Sequence, residues 1–343
     1  MKRKVQKTGG STLIVSLPKE WTNRVNLESG DEVVICHKDD DTLVILPKGV
    51  SICSDDKIKR KITLEFTPEY SLEEIFRMIV AYYLTGYDML EVYFKNEDVG
   101  AWDKLTEYKI YIKNNLRDLI GMEVVDEEDN KILLQNFVDC RDISFKDALL
   151  KTMKIIKTML NDTERTILYK DDILVNDIVQ RDKEVNRFHY LLLRQLNECL
   201  NEHLSESVEI KPNETIIFSN IVKNLERIGD HCKRIARESP KIENNNSEII
   251  KKIISVRGEV QSIFENTCDY LLTEDHIEAN KLITQSNKVI EKIKSLNSEL
   301  FENYEWDKDI PHISFILDSL KRICQYSNDI CEGIIVLGIY MKK

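Results

Sequence analysis

The spacing of hydrophobic residues along the chain changes twice, which divides the sequence into three stretches. Near the N-terminus, short apolar runs alternate with turn residues, as at Leu13–Leu17, Val33–Cys36 and Leu43–Leu46, and this pattern predicts strands. Pro18 is expected at the first position of a short helix between them. Residues 1–48 are therefore predicted to form a β module, which is too small to bury much surface alone, so we expect it to dimerise.

After a polar stretch at residues 50–60, strand and helix patterns alternate. The apolar runs Ile62–Phe66 and Met89–Phe94 predict strands, and Ser71 opens an intervening helix through a capping box. The remaining elements of this stretch are a helix at Trp102–Leu119 and strands at Met122–Val125 and Ile132–Val138. This order, βαβαββ, predicts a small α/β connector module over residues 57–139.

Beyond this module only helical patterns remain, with apolar residues recurring every three or four positions. Six long helices are predicted, at residues 144–169, 172–204, 213–238, 247–272, 275–304 and 311–340. They account for an all-α antiparallel bundle over residues 142–343. The complete chain is thus predicted to be an α+β multidomain protein.

Composition favours a cytoplasmic protein. The eight cysteines are scattered without a CxxC pair or a repeated spacing, which favours free thiols over a disulfide framework. The N-terminus lacks the apolar stretch of a signal peptide, and no apolar run approaches the ~20 residues of a membrane helix. We therefore expect a protein of the cytoplasm that is not embedded in a membrane.

Charge is unevenly distributed along the chain. The net charge of −11 argues against nucleic-acid binding, but residues 1–24 hold six lysines and arginines against one glutamate, or about +5. Lys7, a Gly-Gly turn and the hydroxyls of Thr8 and Ser11 suit contact with DNA phosphates. The alternative is that this basic terminus only aids solubility.

One group of carboxylates carries candidate chemistry in the helical region. Glu226 and Asp230 are four residues apart, so they project from one side of a helix, and Asp182 is predicted to face inward at a similar height. Such carboxylates bind hard cations through oxygen. The alternative is that ordinary salt bridges satisfy the acids, from cations at helical spacing: Lys223, Arg227 and Arg234. No nucleophile arrangement, Walker A loop, GxGxxG or HExxH accompanies them, so we do not expect an enzyme.

The ordered motifs TGGS, SLPKEW and SGDEVV resemble the AbrB/SpoVT/MazE family of swapped-hairpin, DNA-binding modules over residues 1–48. The resemblance implies an intertwined β dimer whose basic N-terminal strands and loop meet DNA. The residues expected to bind DNA are Arg3, Lys4, Lys7, Thr8, Ser11 and Arg24.

The six helices resemble the PhoU family, which is built as two tandem three-helix bundles. Its carboxylate motif matches Glu226 and Asp230, and the segment that begins at Asp182 is similar to the partner motif. The resemblance implies that these three side chains bind a divalent or trivalent metal ion, such as iron, zinc or magnesium, and that the bundle represses phosphate transport. In the second repeat, Lys321 and Gln325 stand at the positions of the two carboxylates. We therefore expect metal in the first repeat only.

The order of head, connector and bundle resembles archaeal phosphate uptake regulators. It implies a homodimer or higher oligomer that binds DNA through the head and senses phosphate status through the metal-binding bundle or a transporter subunit. A second hypothesis is a peripheral adaptor that represses a phosphate ABC transporter, with the head serving only for dimerisation. A metal-dependent phosphohydrolase is a third, which the lack of a general base or nucleophile beside the acids disfavours.

Overall fold

A computed structural model describes residues 2–37, 43–47, 60–95, 102–139, 142–200, 210–243, 248–303 and 308–340. The chain divides into two compact units, Met1–Ile58 and Lys59–Lys343. Apart from Arg60, the predicted polar linker at residues 50–60 lies outside the described residues.

The described residues of the first unit form four short strands and one short helix. In chain order these are β1 (Gln6–Thr8), β2 (Thr12–Ile14), α1 (Lys19–Arg24), β3 (Val33–His37) and β4 (Leu43–Pro47). The strands form two separate two-stranded antiparallel sheets, β1 with β2 and β3 with β4. Pro18 lies just before α1 rather than at its first position, because its backbone is extended and its carbonyl accepts hydrogen bonds from the amides of Trp21 and Thr22.

Among the described residues of the first unit, no side chain is buried. Leu13 and Leu43 are 67% and 62% exposed, although both lie in strands. A two-stranded ribbon is at best marginally stable by itself in water. The exposed apolar side chains are what a module that pairs with a second copy requires, and dimerisation itself stays a prediction.

The second unit begins with a small mixed sheet. Its elements are β5 (Lys61–Phe66), α2 (Leu72–Leu84), β6 (Met89–Phe94), α3 (Trp102–Asn115), β7 (Met122–Glu128) and β8 (Lys131–Asn136). The strand order is β5-β6-β8-β7, with β5 and β6 parallel and the other pairs antiparallel. The capping box of Ser71 and Glu74 is formed as predicted. Helix α3 ends at Asn115, four residues earlier than predicted, because a 3-10 turn follows at Leu116–Asp118.

Six long helices follow in the described part of the second unit. They are α4 (Phe145–Tyr169), α5 (Asp172–Cys199), α6 (Thr215–Glu238), α7 (Glu248–Thr273), α8 (His276–Asn303) and α9 (Ile310–Tyr340). Their apolar faces share one core, which confirms the predicted α+β multidomain layout with an all-α region. The last residues predicted for α5, 201–204, lie outside the described residues. None of the helices in the described part of the chain combines the length and apolar character needed to cross a membrane.

Helices α4 to α6 form one three-helix repeat and α7 to α9 form a second, and α6 packs along α9 between them. Two glycines permit close helix approaches. A Cβ on Gly229 of α6 would lie 3.3 Å from the side chain of Val185 on α5, and one on Gly333 of α9 would lie 3.3 Å from Ile221 on α6. The first approach brings the carboxylates of α5 and α6 near each other.

A buried arginine joins the mixed sheet and α2 to the helices. The Arg194 side chain of α5 is 1% exposed and forms an ion pair with Asp88 at 2.9 Å and with Glu198 at 3.2 Å. It also donates hydrogen bonds to the backbone carbonyls of Tyr83 and Tyr87 at 2.7 and 2.9 Å. Because this charge is buried with its partners, the connector and bundle are held together by a contact that is costly to break.

Candidate functional site

The predicted DNA-binding residues lie at the N-terminal end of the first unit and are all exposed. Lys7 lies in β1 opposite Leu13, and Thr8 and Ser11 flank a turn in which Gly9 adopts φ +63°. Arg3 and Lys4 directly precede this hairpin, so five of the six residues lie within one short segment. The sixth, Arg24, is the last residue of α1, and no described contact joins it to the others.

The second candidate region lies between α5 and α6, where the structure brings the three predicted carboxylates together. Asp182 is only 3% exposed. The Nζ atom of Lys233 lies between two of these acids, 2.6 Å from Asp182 Oδ2 and 2.5 Å from Asp230 Oδ1. The second oxygen of Asp182, Oδ1, is buried and has no hydrogen-bond partner among the described residues.

The electrostatics of this acidic cleft, formed by Asp182, Glu226, Asp230 and Lys233, favour an additional cation. Burial and the nearby charges of Asp230 and Asp182, together with a hydrogen bond to Asp230, raise the pKa of Glu226 to about 7. Burial also raises the pKa of Asp182, although Lys233 opposes this shift. The pKa of Lys233 is raised in turn, because its bonds to the two acids outweigh the effect of its burial. One ammonium therefore neutralises only part of the charge of three carboxyls.

The residues of the acidic cleft fit the metal that the family resemblance implies in donor type and charge. Three carboxyls offer oxygen ligands, one buried oxygen lacks a partner, and the Lys233 ammonium marks a position for a cation. In the described part of the chain, no group of three or more His, Cys, Asp and Glu side chains is already spaced to hold a metal ion. Lys233 Nζ occupies the position between Asp182 and Asp230 where such an ion would be expected.

Two of the three cations that the sequence offered as salt-bridge partners have other contacts. The Arg227 guanidinium lies over the ring of Tyr326, 5.4 Å from its centre, and Arg234 lies over Phe315 at 4.8 Å. No described ion pair joins Lys223 to Glu226. The ion-pair partner of Asp182 and Asp230 is Lys233, which sequence reasoning missed although its spacing of three residues from Asp230 was a usable signal.

In the second repeat, the position equivalent to Lys233 is uncharged. The offset of 95 residues that aligns Glu226 with Lys321 also aligns Lys233 with Asn328. Asn328 Nδ2 donates a 3.1 Å hydrogen bond to Asn287 Oδ1 across α8 and α9, as Lys233 does to Asp182 across α5 and α6. A neutral pair therefore replaces the ion pair of the first repeat, and Lys321 bonds to Asp318 at 2.8 Å.

Two tandem three-helix repeats, with paired carboxylates on the third helix of the first, define a PhoU-like helical domain. Residues 149–239 match the family model described as "PhoU domain". Residues 6–52 match the model "Antidote-toxin recognition MazE, bacterial antitoxin". The chain therefore combines a MazE/AbrB-like N-terminal domain with a C-terminal PhoU domain, as the motifs predicted.

Individual proteins give the same picture of the helical domain. The chain is 23% identical over 192 residues to the "Phosphate-specific transport system accessory protein PhoU homolog" of Clostridium acetobutylicum, which covers 54% of this chain and 81% of that protein. The crystal structure of PhoU from Pseudomonas aeruginosa aligns with a TM-score of 0.52 at 20% identity, over 56% of this chain and 94% of that one. The phosphate transport system regulatory protein PhoU from Streptococcus pneumoniae aligns with a TM-score of 0.50 at 16% identity, over 56% and 92%. Nothing in these comparisons supports an archaeal origin.

Proposed function

We propose that this chain is a cytoplasmic regulator of phosphate uptake that binds DNA through its N-terminal unit and responds to phosphate status through its PhoU-like bundle. The observation that carries the proposal is the presence of two matching segments in one chain, residues 6–52 and 149–239. The name of the Clostridium relative supports the link to phosphate transport. No catalytic reaction is proposed, and turnover of a generic phosphoester by the purified chain would contradict this assignment.

The regulator is proposed to act as a homodimer or higher oligomer. The support is the exposure of Leu13, Ile35 and Leu43 on strands that have no core of their own among the described residues. Pairing two copies buries these side chains, each worth roughly 1.5–3 kcal/mol when fully covered. Light scattering is expected to give at least a dimer mass. A monomer mass that is independent of concentration would remove the swapped-hairpin assignment.

The experiment that tests DNA binding compares the full chain with a chain that lacks residues 1–48, on a mixed-sequence duplex over a range of salt. The full chain is expected to bind with an affinity that falls steeply as salt rises, because each lysine or arginine on a phosphate adds about 0.9 to the log-log slope. The shortened chain is expected not to bind. Equal binding by both chains would contradict the proposed role of the head, and absence of binding by both would favour the transporter adaptor.

The contribution of individual cations is tested by changing Arg3, Lys4 and Lys7 together to alanine, which is expected to flatten the salt dependence. The matched control changes three exposed cations of the bundle, Arg165, Lys154 and Lys281. This control alters the net charge equally and is expected to leave the slope unchanged. If both triple variants behave alike, the basic terminus acts only through net charge.

A metal ion on Asp182, Glu226 and Asp230 is part of the proposal. Its support is the fit of the acidic cleft: three carboxyl groups, a buried oxygen of Asp182 without a partner, and a lysine ammonium at the cation position. A bound divalent or trivalent cation would supply the charge that three carboxylates lack and would tie α5 to α6. The second repeat is proposed to hold no equivalent ion, because Lys321 and Gln325 replace the acids there.

A further inference from the structure

A cavity of about 270 Å³ lies where the C-terminal part of α6 meets α8 and α9. Its lining includes three cationic side chains, which come from three different helices: Arg234 of α6, Lys294 of α8 and Lys321 of α9. Asp318 is the acidic residue of the lining. We call these four residues the basic pocket.

The balance of charge in the basic pocket favours an anion. Three cations against one carboxylate leave about two positive charges on the lining residues. Asp318 is shared, since Lys321 Nζ lies 2.8 Å and Arg234 Nη1 lies 3.9 Å from it. Lys294 also contacts a carboxylate outside the lining, Glu291, at 2.7 Å. With Glu291 counted, three cations face two carboxylates, and the remaining charge of about one is positive, which attracts small anions.

The titration of Asp318 reports the same positive surroundings. Burial alone would raise its pKa, but the hydrogen bond from Lys321 and the charges of Lys321, Arg322 and Arg234 lower the pKa overall. A carboxyl that stays ionised in a half-buried position indicates that cations dominate around it.

The polar groups of the pocket are held in place. Stacking over Phe315 at 4.8 Å orients the guanidinium of Arg234. Ser314 donates a 3.1 Å hydrogen bond to the amide oxygen of Asn297, and both of these residues line the cavity. An oriented guanidinium beside ammonium groups is a donor set that proteins use for phosphate-like oxyanions.

We propose that the basic pocket binds a small tetrahedral oxyanion of the phosphate class. The cavity volume lies just below the roughly 300 Å³ at which pockets for drug-sized molecules start, so the cavity has room for a small anion. The inference deepens the proposed function, because it gives the bundle a direct contact with the anion whose uptake it is proposed to regulate. Lys321 contributes a cation to this pocket at the very position where the first repeat has Glu226.

The test is calorimetric titration of the full chain with inorganic phosphate at constant ionic strength, with sulfate as a second arm. The wild-type chain is expected to bind phosphate. Changing Arg234 and Lys321 together to glutamine is expected to weaken binding at least about tenfold, since two charge-assisted contacts are lost. The matched control, Arg165→Gln with Lys281→Gln, removes one exposed arginine and one exposed lysine elsewhere and is expected to change the affinity less than about twofold.

A third variant is expected to raise the affinity for phosphate instead of lowering it. Asp318→Asn removes the competing carboxylate and frees Arg234 and Lys321, so phosphate is expected to bind several-fold more tightly, about threefold to tenfold. A pocket with a purely structural role would lose stability in this variant and gain no affinity. Circular dichroism on every variant checks that the helices persist.

Comparable binding of sulfate and phosphate would support a general oxyanion site. Three results would overturn the inference: no phosphate binding by the wild type, unchanged affinity after removal of Arg234 and Lys321, or weaker binding after Asp318→Asn. DNA affinity is measured on the same preparations. Absence of phosphate binding by the wild-type chain while DNA binding is intact therefore contradicts this inference alone, and phosphate binding without DNA binding contradicts the proposed role of the head.

Discussion

The acidic cleft between α5 and α6 combines three carboxyls with one ammonium, whereas the basic pocket, where α6 meets α8 and α9, combines three cations with one carboxylate. The two regions lie on the same kind of three-helix frame, and Glu226 and Lys321 occupy matching positions in the two repeats. The same kind of helical frame therefore carries a mainly acidic group of side chains in one place and a mainly basic group in the other.

The side-chain pairs that connect the second and third helices of each repeat show the same contrast. Asp182 and Lys233 form an ion pair where the second repeat has the neutral pair of Asn287 and Asn328. Both pairs connect the second and third helices of their repeat. The polar link between the helices is thus kept while its charge is removed, which is consistent with the prediction that only the first repeat holds metal.

The largest expected effect comes from the buried ion pairs of Arg194, which join the mixed sheet to the helices. Arg194→Met is expected to destabilise the chain by about 3–5 kcal/mol, because it leaves Asp88 and Glu198 buried without the guanidinium. Urea unfolding measures this change, with the exposed Arg165→Met as control, expected within about 1 kcal/mol of wild type. If Arg194 only stabilises the fold, the folded fraction of Arg194→Met is expected to bind ions in the acidic cleft and in the basic pocket with the affinities of the wild type.

The next effect is a dependence of stability on pH that belongs to the first repeat. The native pKa of Glu226, about 7, exceeds its ordinary value of 4.5, so the native state holds the proton more tightly than the unfolded state. Stability from this group is therefore present in acid and lost as the pH rises from about 4.5 through about 7. After allowance for partial exposure, we expect a loss of about 1–2 kcal/mol.

Glu226→Gln is expected to remove this part of the pH dependence, which unfolding experiments at pH 5 and pH 8 can measure. The matched control is Lys321→Gln, which places the same residue at the equivalent position of the second repeat and is expected to keep the wild-type slope. An unchanged slope in Glu226→Gln would show that the acidic cleft is not the source of the dependence.

A smaller effect is expected from the competition between Lys233 and a metal ion for the carboxylates of the first repeat. Lys233→Met removes the ammonium between Asp182 and Asp230, so manganese(II) is expected to bind about tenfold more tightly, equivalent to about 1.4 kcal/mol. Glu226→Gln combined with Asp230→Asn is expected to abolish binding and keep the helical content. Retained metal in this double variant would place the site elsewhere.

The smallest effect is expected from replacing the neutral pair of the second repeat with the charged pair of the first. Asn287→Asp with Asn328→Lys gives the second repeat the pair of the first without changing net charge. Because Asn287 is exposed, the new ion pair is expected to change the unfolding free energy by less than about 1 kcal/mol. A double-mutant cycle measures the coupling. A coupling of several kcal/mol would show that the two positions are not equivalent in their surroundings.

Local patterns predicted most of the fold. The starts of α4 and α8 follow Ser144 and Asp275, whose side chains accept hydrogen bonds from the first turns, because capping chemistry is encoded within a few residues. Pro18 was placed one position too far into α1, since a proline suits both the cap and the first turn.

The sites were less accessible to such reasoning. The approach of Glu226 and Asp230 follows from helical spacing, but the choice of Lys233 over other nearby cations depends on where α5 packs. No local pattern predicts the basic pocket, because Arg234 and Lys294 are distant in sequence and meet only when α6 lies beside α8 and α9. Contacts between helices depend on packing of the whole core, which no short motif encodes.

The opposite ion preferences that we propose for the acidic cleft and the basic pocket are tested most directly by anomalous diffraction from crystals of the full chain soaked in manganese(II) and selenate, recorded at the absorption edges of the two elements. Manganese is predicted among Asp182, Glu226 and Asp230, with the Lys233 side chain displaced. Selenium is predicted among Arg234, Lys294 and Lys321. Manganese beside Lys321, or a basic pocket without selenate while other positions are occupied, would contradict the account.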